Sequence, residues 1–470
     1  MTASTTSERP KPTRSSIAII GGGVTGAAVA FHLATGHKAD AVDITIFEPR
    51  AEIGRGLAYD TRDPVHRINV PATRMSILPG DPEHFSRWME TTGSVADDEA
   101  AFRADGNVFP RRGIFGNYVL SNLQPLLASG AVRHICAAVT GVEKRQDQWH
   151  VTDTTGQTLV ADILVIAATH PAPVAPRSLR RLAEHPRYVA DPTAPNALTP
   201  IRADDRVLVV GNGLTSADVI ASLKRCGHSG SITALSRRGL RSRGHATFAQ
   251  EPFGDFLDHP ATSASEILHR VRAAIREAQA EGQTWHAVLD QLRSQGGGIW
   301  KHLPLEARRR IVRHLRPYWD VHRFRIAPQV EDVLDAEAAA GRLDILAAGI
   351  VDVSTDGDMI DVTIKRRGKN GVEVRQFDAV AVTTGPAHGN VLQSQQWLRQ
   401  LGDHGFLHLD PTGLGLSCNE QSNAIDADGK SEPRLFIAGP LARGHFGELM
   451  GFPQVAEHAL LVADSIAANL

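Results

Sequence analysis

An α/β architecture with two Rossmann-like dinucleotide-binding domains, the second carrying a helical insertion, is predicted by three features of this 470-residue sequence. A short apolar strand, a glycine turn and an Ala-rich helix run in that order at 16–33 (SIAIIGGGVTGAAVAFHL) and again at 206–223 (RVLVVGNGLTSADVIASL). Each unit is followed downstream by a strand ending in small residues, ILVIAATHP from Ile163 and AVAVTTGPAHG from Ala379. Between Phe253 and Gly341 the apolar pattern changes to helical spacing, with Trp285, Leu289 and Leu292 on one face and Ile311, Leu315 and Trp319 on another.

In chain order, residues 1–16 are rich in Ser, Thr, Pro and Arg and read as a disordered leader without a signal peptide. Residues 17–200 form the first part of one dinucleotide domain. Its fingerprint places Gly21, Gly23 and Gly26 in the G-x-G-x-x-G register, which permits a tight turn, close approach to a pyrophosphate and close helix–strand packing. The helix that follows turns its unsatisfied N–H groups and positive dipole end toward the phosphates. Glu48 ends the next strand about 20 residues on, where a carboxylate accepts hydrogen bonds from ribose hydroxyls. Arg50, just beyond it, joins Glu48 among the nucleotide-binding candidates.

The segment from Glu52 to Ser76 contains Gly54, Gly56 and Pro71, which read as backbone wrapped closely around a ligand. Asn69 places an amide either beside that ligand or on its own loop backbone. A Pro-Arg-Arg-Gly turn with Arg111 and Arg112 precedes a helix expected over about 117–127. Strand-like alternation at Val139–Val142 and Gln148–Val151 reappears at Leu343–Val353 and Met359–Lys365.

The second domain is expected over 201–252 and 342–390, with the insertion at 253–341. Its fingerprint has Gly211 and Gly213, with the small pair Ser216 and Ala217 where a third glycine often sits. The next strand ends without an acid. It presents Arg237 and Arg238 instead, with Arg241 and Arg243 behind them, a set suited to a 2′-phosphate that a carboxylate would repel. The alternative is a solvated basic loop. An acid in one domain and arginines in the other imply two different nucleotides, and the pair FAD plus NADPH lets hydride pass from a transient nicotinamide to a resident acceptor.

Residues 391–470 are expected to return to the first domain through the strand LFIAGP from Leu435, a Gly-rich loop and a helix opening at about Pro453. That helix start, together with Gly439 at the end of the strand, is assigned to the flavin site, because negative charge accumulates on the pyrimidine edge on reduction. His445 and Glu448 are the titratable groups of the loop and the candidate proton donors or acceptors. A solvated charge or a helix cap is the plainer reading of Glu448. The stretch from Lys301 to Arg325 is strongly basic; His322, Arg323 and Arg325 are candidates for an anionic group, whereas Arg308 to Arg310 read as a solvated helix face.

The two fingerprints, Glu48, the segment FPRRGIFGNY from Phe109, LSRRGL from Leu235, HLRPYWDVHRFRIAP from His314 and IAGPLARG from Ile437 together resemble the bacterial YdhS-like FAD/NAD(P)-binding family. More distantly, the layout is similar to NADPH-dependent flavin monooxygenases of the N-hydroxylating and Baeyer–Villiger type. That resemblance implies a flavin hydroperoxide that oxygenates a small-molecule substrate with dioxygen, and contacts from Arg112 and Tyr118 to the nucleotide, with surface ion pairing as the alternative. Many flavoproteins end the last strand with Gly-Asp to hold the ribityl chain, but Gly439-Pro440 stands here.

Other chemistries are disfavoured. Cys136, Cys226 and Cys418 are far apart, so neither a redox-active pair, nor a disulfide framework, nor a cysteine metal site is expected. The 21 histidines include no H-E-x-x-H pattern, and no metal is expected. Lys and Arg number 50 against 52 Asp and Glu, a balance that argues against nucleic-acid binding by bulk charge. No apolar run approaches the roughly 20 residues of a membrane span, and a cytoplasmic location is expected. The leading expectation is an FAD-containing, NADPH-dependent monooxygenase. An NADPH dehydrogenase or reductase with an organic acceptor, and a nucleotide-sensing binding protein, are the alternatives.

Overall fold

The computed structural model describes residues 14–168, 175–385 and 388–470. Most of the expected leader lies outside them, as do the ends of the two small-residue strands at 169–171 and 386–387. Strand formation begins at Ser15, slightly inside the expected leader.

The first domain is built on a six-stranded sheet in the order β15-β16-β7-β1-β2-β3. Its strands β1 (Ser15–Ile20), β2 (Val42–Phe47), β3 (Val132–Ile135) and β7 (Ile163–Ile166) are parallel, with Ile17 opposite both Ile44 and Ile163. Such strands are covered on both faces, which explains their nearly continuous apolar sequence. Ile17, Ile19 and Val165 pack beneath the helices Val24–Thr35, Arg112–Ala128 and Phe452–Ala468. Ala18, Ile20, Leu164 and Ile166 face the opposite side. There they meet Val142, Trp149 and Val151 of a small antiparallel sheet formed by β4 (Val139–Arg145), β5 (Gln148–Asp153) and β6 (Thr158–Ala161). The C-terminal segment adds the remaining strands: β16 (Ser431–Ile437) runs parallel to β7, and β15 (Asn423–Ile425) forms the antiparallel edge.

The second domain has a seven-stranded sheet in the order β13-β12-β11-β10-β9-β14-β8. The strands are β8 (Tyr188–Val189), β9 (Val207–Val210), β10 (Ile232–Ser236), β11 (Leu343–Asp356), β12 (Met359–Arg366), β13 (Glu373–Phe377) and β14 (Ala379–Val382). β11 is parallel to β10 over Leu343–Ala347 and then continues antiparallel to β12, so one long strand serves both ladders.

Two expected boundaries shift. Tyr188–Val189 pairs with β14, and Leu179 and Leu182 pack into the second domain's core, so the chain leaves the first domain well before residue 200. The helix Pro328–Ala339 buries Val330 and Leu334 against the helix Leu214–Arg225 and the sheet. It is the crossover between β10 and β11 rather than part of the insertion. The insertion proper comprises the helices Ala264–Ala280, Trp285–Ser294, Gly296–His302, Leu305–Arg310 and Arg316–Arg323, with a π-helical turn at Ile311–Leu315. It has its own core around Phe256, Val288, Ile299 and Trp300, which also takes in Leu414 of the C-terminal return.

Candidate functional site

The first glycine turn is fixed by sterics. Gly21 has φ +104°, and a Cβ there would lie 2.5 Å from the Ala167 carbonyl oxygen; a Cβ on Gly26 would run into the Gly21 carbonyl. Gly23, by contrast, is the uncapped N-cap of the helix Val24–Thr35, leaving the first-turn N–H groups for a ligand. Glu48 is 4% exposed and turned back onto this turn. Its Oε2 accepts from Gly22 N at 3.1 Å, and Oε1 accepts from Arg50 N at 3.1 Å and Arg50 Nη1 at 3.0 Å. A carboxylate has about four lone-pair positions, so capacity remains for a ribose hydroxyl. Arg50 also reaches Asp60 at 3.3 Å, which makes it a strut for Glu48.

Gly439, just beyond β16, lies against the helix of the same turn. Its φ is +69°, and a Cβ would stand 2.6 Å from Thr25 Cγ2. Its N–H donates to His458 Nδ1 at 3.1 Å, while His458 Nε2 is 3.1 Å from Ser422 Oγ. Because the Ser422 hydroxyl donates to the Ile437 carbonyl, the imidazole is the neutral tautomer with its proton on Nε2. Burial pushes its pKa down to about 3. The helix behind it begins at Phe452, with Pro453 in its first turn and Gly451 as an N-cap without a side-chain cap.

The second turn repeats the first. Gly211 has φ +128° and abuts the Thr383 carbonyl, and Gly213 is an uncapped helix N-cap. Here two buried polar atoms, Asn212 Nδ2 and Ser216 Oγ, have no hydrogen-bond partner. Native proteins rarely bury such groups unpaired, so the pair marks a place where a ligand completes the bonding. Of the arginines after β10, Arg241 is held by Asp335 at 2.6 Å and Glu331 at 3.5 Å, which removes it from the expected anion set. Arg237 is exposed and lines a basic depression with Lys365, Arg366, Arg367 and Lys369. Arg238 stacks over Tyr318 of the insertion at 5.7 Å and keeps a buried Nε without a partner.

Several expected contacts are replaced by structural ones. Arg112 forms a bidentate ion pair with Asp218 of the second domain at 2.7 and 3.0 Å and donates to the Arg67 carbonyl at 2.7 Å. Tyr118 is buried in the first core, and its hydroxyl binds Ile77 N and His84 Nδ1. The Asn69 amide oxygen accepts from Ala327 N at 3.1 Å, so this side chain fastens the loop to the start of the crossover helix. Glu448 is neither solvated nor a cap. It lies in a buried ion pair with Arg323, whose Nε is 2.6 Å away. His445 is half-buried, and burial with the nearby Arg308 lowers its pKa. Arg325 is bidentate to Asp290 at 2.8 and 3.1 Å.

Residues 18–171 match the FAD-NAD(P)-binding family model. No curated protein sequence matches the chain. Among solved structures, the reduced ornithine hydroxylase of Pseudomonas aeruginosa superposes with a TM-score of 0.65 at 13% identity, covering 97% of this chain and 99% of its own. L-lysine 6-monooxygenase from Pseudomonas syringae gives 0.64 at 17% identity, with 97% and 100% covered. The FAD-bound cadaverine monooxygenase of Erwinia amylovora gives 0.58 at 13%, with 97% and 95% covered. The fold is thus that of flavin monooxygenases along the whole chain. Thioredoxin reductase from Lactococcus lactis shares it more loosely, with a TM-score of 0.52. The three cysteines here are all free, two of them exposed and Cys418 buried. No helix among the described residues is long and apolar enough to cross a membrane, and none of them form a His/Cys/Asp/Glu group able to hold a metal.

Ser216 and Arg238, whose Oγ and Nε are unpaired, were candidates from the sequence; Asn212, with its unpaired Nδ2, and buried Arg293 and Arg443 were missed. Asn212 lies inside the fingerprint and was open to notice. Arg293 and Arg443 carry no local signal, because what distinguishes them is burial by distant segments.

Proposed function

We propose that the protein is an FAD-containing, NADPH-dependent monooxygenase of small organic substrates, cytoplasmic and, on the segments quoted above, similar to the YdhS-like proteins. The observation that carries this reading is the pair of uncapped glycine turns, one backed by a buried acid and the other by unpaired polar atoms and arginines. It is supported by a fold shared with amine hydroxylases over nearly the full chain.

Gly21 to Gly26 fit a pyrophosphate, with backbone N–H groups at the start of Val24–Thr35 as donors. Glu48 accepts the ribose hydroxyls, and Arg50 keeps its carboxylate aimed. Gly211, Asn212, Gly213 and Ser216 fit the second pyrophosphate in the same way. Arg237 and Arg238 supply the charge that selects a 2′-phosphate over a free hydroxyl. When bound, FAD supplies hydride acceptance from NADPH and activation of dioxygen. The overall change is substrate plus O2, NADPH and a proton giving oxygenated substrate, water and NADP⁺. The start of Phe452–Ala468 presents free N–H groups and a positive dipole end, which would favour negative charge developing on a bound flavin. With Glu448 paired to Arg323, His445 is the titratable group left in the loop to hold or move a proton at its imidazole.

The test is anaerobic reduction by NADPH or NADH, then admission of oxygen with ornithine, lysine or cadaverine, following product and NADPH together. Reduction preferring NADPH, with product formed in proportion to NADPH consumed, is expected. Reduction without product when oxygen enters would support the reductase reading. Retained FAD that NADPH never reduces would leave the binding-protein reading.

A further inference from the structure

The insertion meets the C-terminal return around a buried group of guanidiniums that outnumber their carboxylates. Arg293, Arg316, Arg323 and Arg443 converge on Glu448 and Asp320. Arg323 is satisfied by Glu448, and Arg316 takes Asp320 Oδ2 at 3.2 Å. Arg443 is left over. Its side chain is 6% exposed, its Nε and Nη1 have no partner, and its Nη2 is 3.9 Å from Asp320 Oδ1, which itself accepts no hydrogen bond. Arg293 reaches the Gln454 amide oxygen at 2.9 Å but keeps a buried, unpaired Nε. Burial, with Arg323 alongside, lowers its pKa to about 9.

The same place receives a helix end. A Cβ on Gly451, the uncapped N-cap of the 17-residue helix Phe452–Ala468, would run into Arg323 Nη2 and stand 3.2 Å from Arg293 Nη2. Trp300 closes one side by donating Nε1 to the Gly444 carbonyl at 2.8 Å. A buried cation without an anion is costly, and an unfilled helix N-terminus adds positive potential to it. The missing component is a negative group small enough to enter this closed junction. A carboxylate meets guanidinium donors with charge-assisted hydrogen bonds in a planar geometry.

We propose that Arg443 and Arg293, beside the helix start assigned above to the flavin, seat a carboxylate of the substrate. The assignment of that carboxylate to the substrate rests on the monooxygenase reading; the anion site itself does not.

The experiment is an acetate titration of the FAD-loaded protein against chloride at matched ionic strength, read by calorimetry and by the thermal midpoint. Saturable acetate binding is expected, weakened about tenfold or more in Arg443→Gln and in Arg293→Gln, with Arg443→Lys retaining part of it. Either glutamine variant suffices if the other fails to fold, since flavin content and circular dichroism identify the folded one. Acetate acting no differently from chloride, or binding equally to wild type and folded variants, overturns the proposal. Binding to the FAD-free protein that disappears when FAD is added would assign these guanidiniums to the flavin and overturn the substrate assignment. The FAD-free titration also separates the two readings: a chain that never takes up FAD but binds acetate through Arg443 loses the cofactor reading and keeps the anion site.

Discussion

Single residues decide whether each nucleotide is recognised. Glu48 is buried and accepts three hydrogen bonds, so Glu48→Ala removes an ionised acceptor and orphans the Gly22 N–H. Hydrogen bonds to charged groups contribute about 1.5–3 kcal/mol, and FAD affinity should fall roughly 10- to 100-fold in equilibrium dialysis. Arg237→Ala combined with Arg238→Ala should cut the preference for NADPH over NADH by a similar factor while leaving FAD content unchanged; an unaltered preference would remove both arginines from the nucleotide site. His458 carries a pH prediction. Its folded pKa, about 3, lies below the ordinary value near 6.5, so the unfolded chain binds the extra proton first. The stability it contributes is complete above about pH 6.5 and is lost as pH falls toward 3, with a slope of up to about 1.4 kcal/mol per pH unit. Denaturation midpoints measured from pH 7 to pH 4 should therefore fall less steeply in His458→Gln than in wild type. Equal slopes would mean that the Gly439–His458–Ser422 chain does not hold the imidazole neutral in solution.

At the scale of elements, the glycine turns were legible because strand, turn and helix are consecutive and each glycine answers a local steric demand. Gly26→Ala tests this directly, since its Cβ would meet the Gly21 carbonyl and force the helix off the strand. Loss of soluble, FAD-loaded protein is expected, whereas Gly213→Ala, with nothing near its Cβ, should fold and keep its flavin. Elements defined by distant partners were not legible. Pro328–Ala339 has the same helical periodicity as the insertion before it, and only its contact with Leu214–Arg225 marks it as the crossover. Tyr188–Val189 is a two-residue strand whose pairing with β14 spans nearly two hundred residues of sequence. The candidate site divides likewise. The steric demand at Gly21, Gly26 and Gly211 follows from strand, turn and helix in succession, whereas Arg112, Asn69 and Glu448 have protein partners far along the chain. Local sequence shows that a charge exists, not which opposite charge the fold brings to it.

For the whole molecule, polar contacts beside the two chain crossings add to the packing of Val65 against the second domain's core in fixing how the two domains meet. Arg112, at the start of its helix, grips Asp218 with Nη1 and Nη2, and the two side chains are only 16% and 13% exposed. Nearby, Ser222 donates to Asp63 at 2.8 Å and lies 3.1 Å from His66 Nε2, while Arg225 pairs with Asp63 at 3.0 Å. These contacts join the first domain's loop to one face of the helix Leu214–Arg225, whose N-terminus carries the second glycine turn. Any slackening there moves that turn relative to the first, and hydride transfer requires reacting atoms within about 3–3.5 Å. A double-mutant cycle with Arg112→Ala and Asp218→Ala should give a coupling energy of about 1–3 kcal/mol in denaturant unfolding, above the range of an exposed pair because both partners are largely buried. The single variants should keep their FAD, whose proposed contacts lie elsewhere, but should lose NADPH-driven flavin reduction more than NADPH binding. A coupling near zero would show that the domains do not hold this orientation in solution, and a loss of FAD equal to the loss of reduction would return Arg112 to the flavin site.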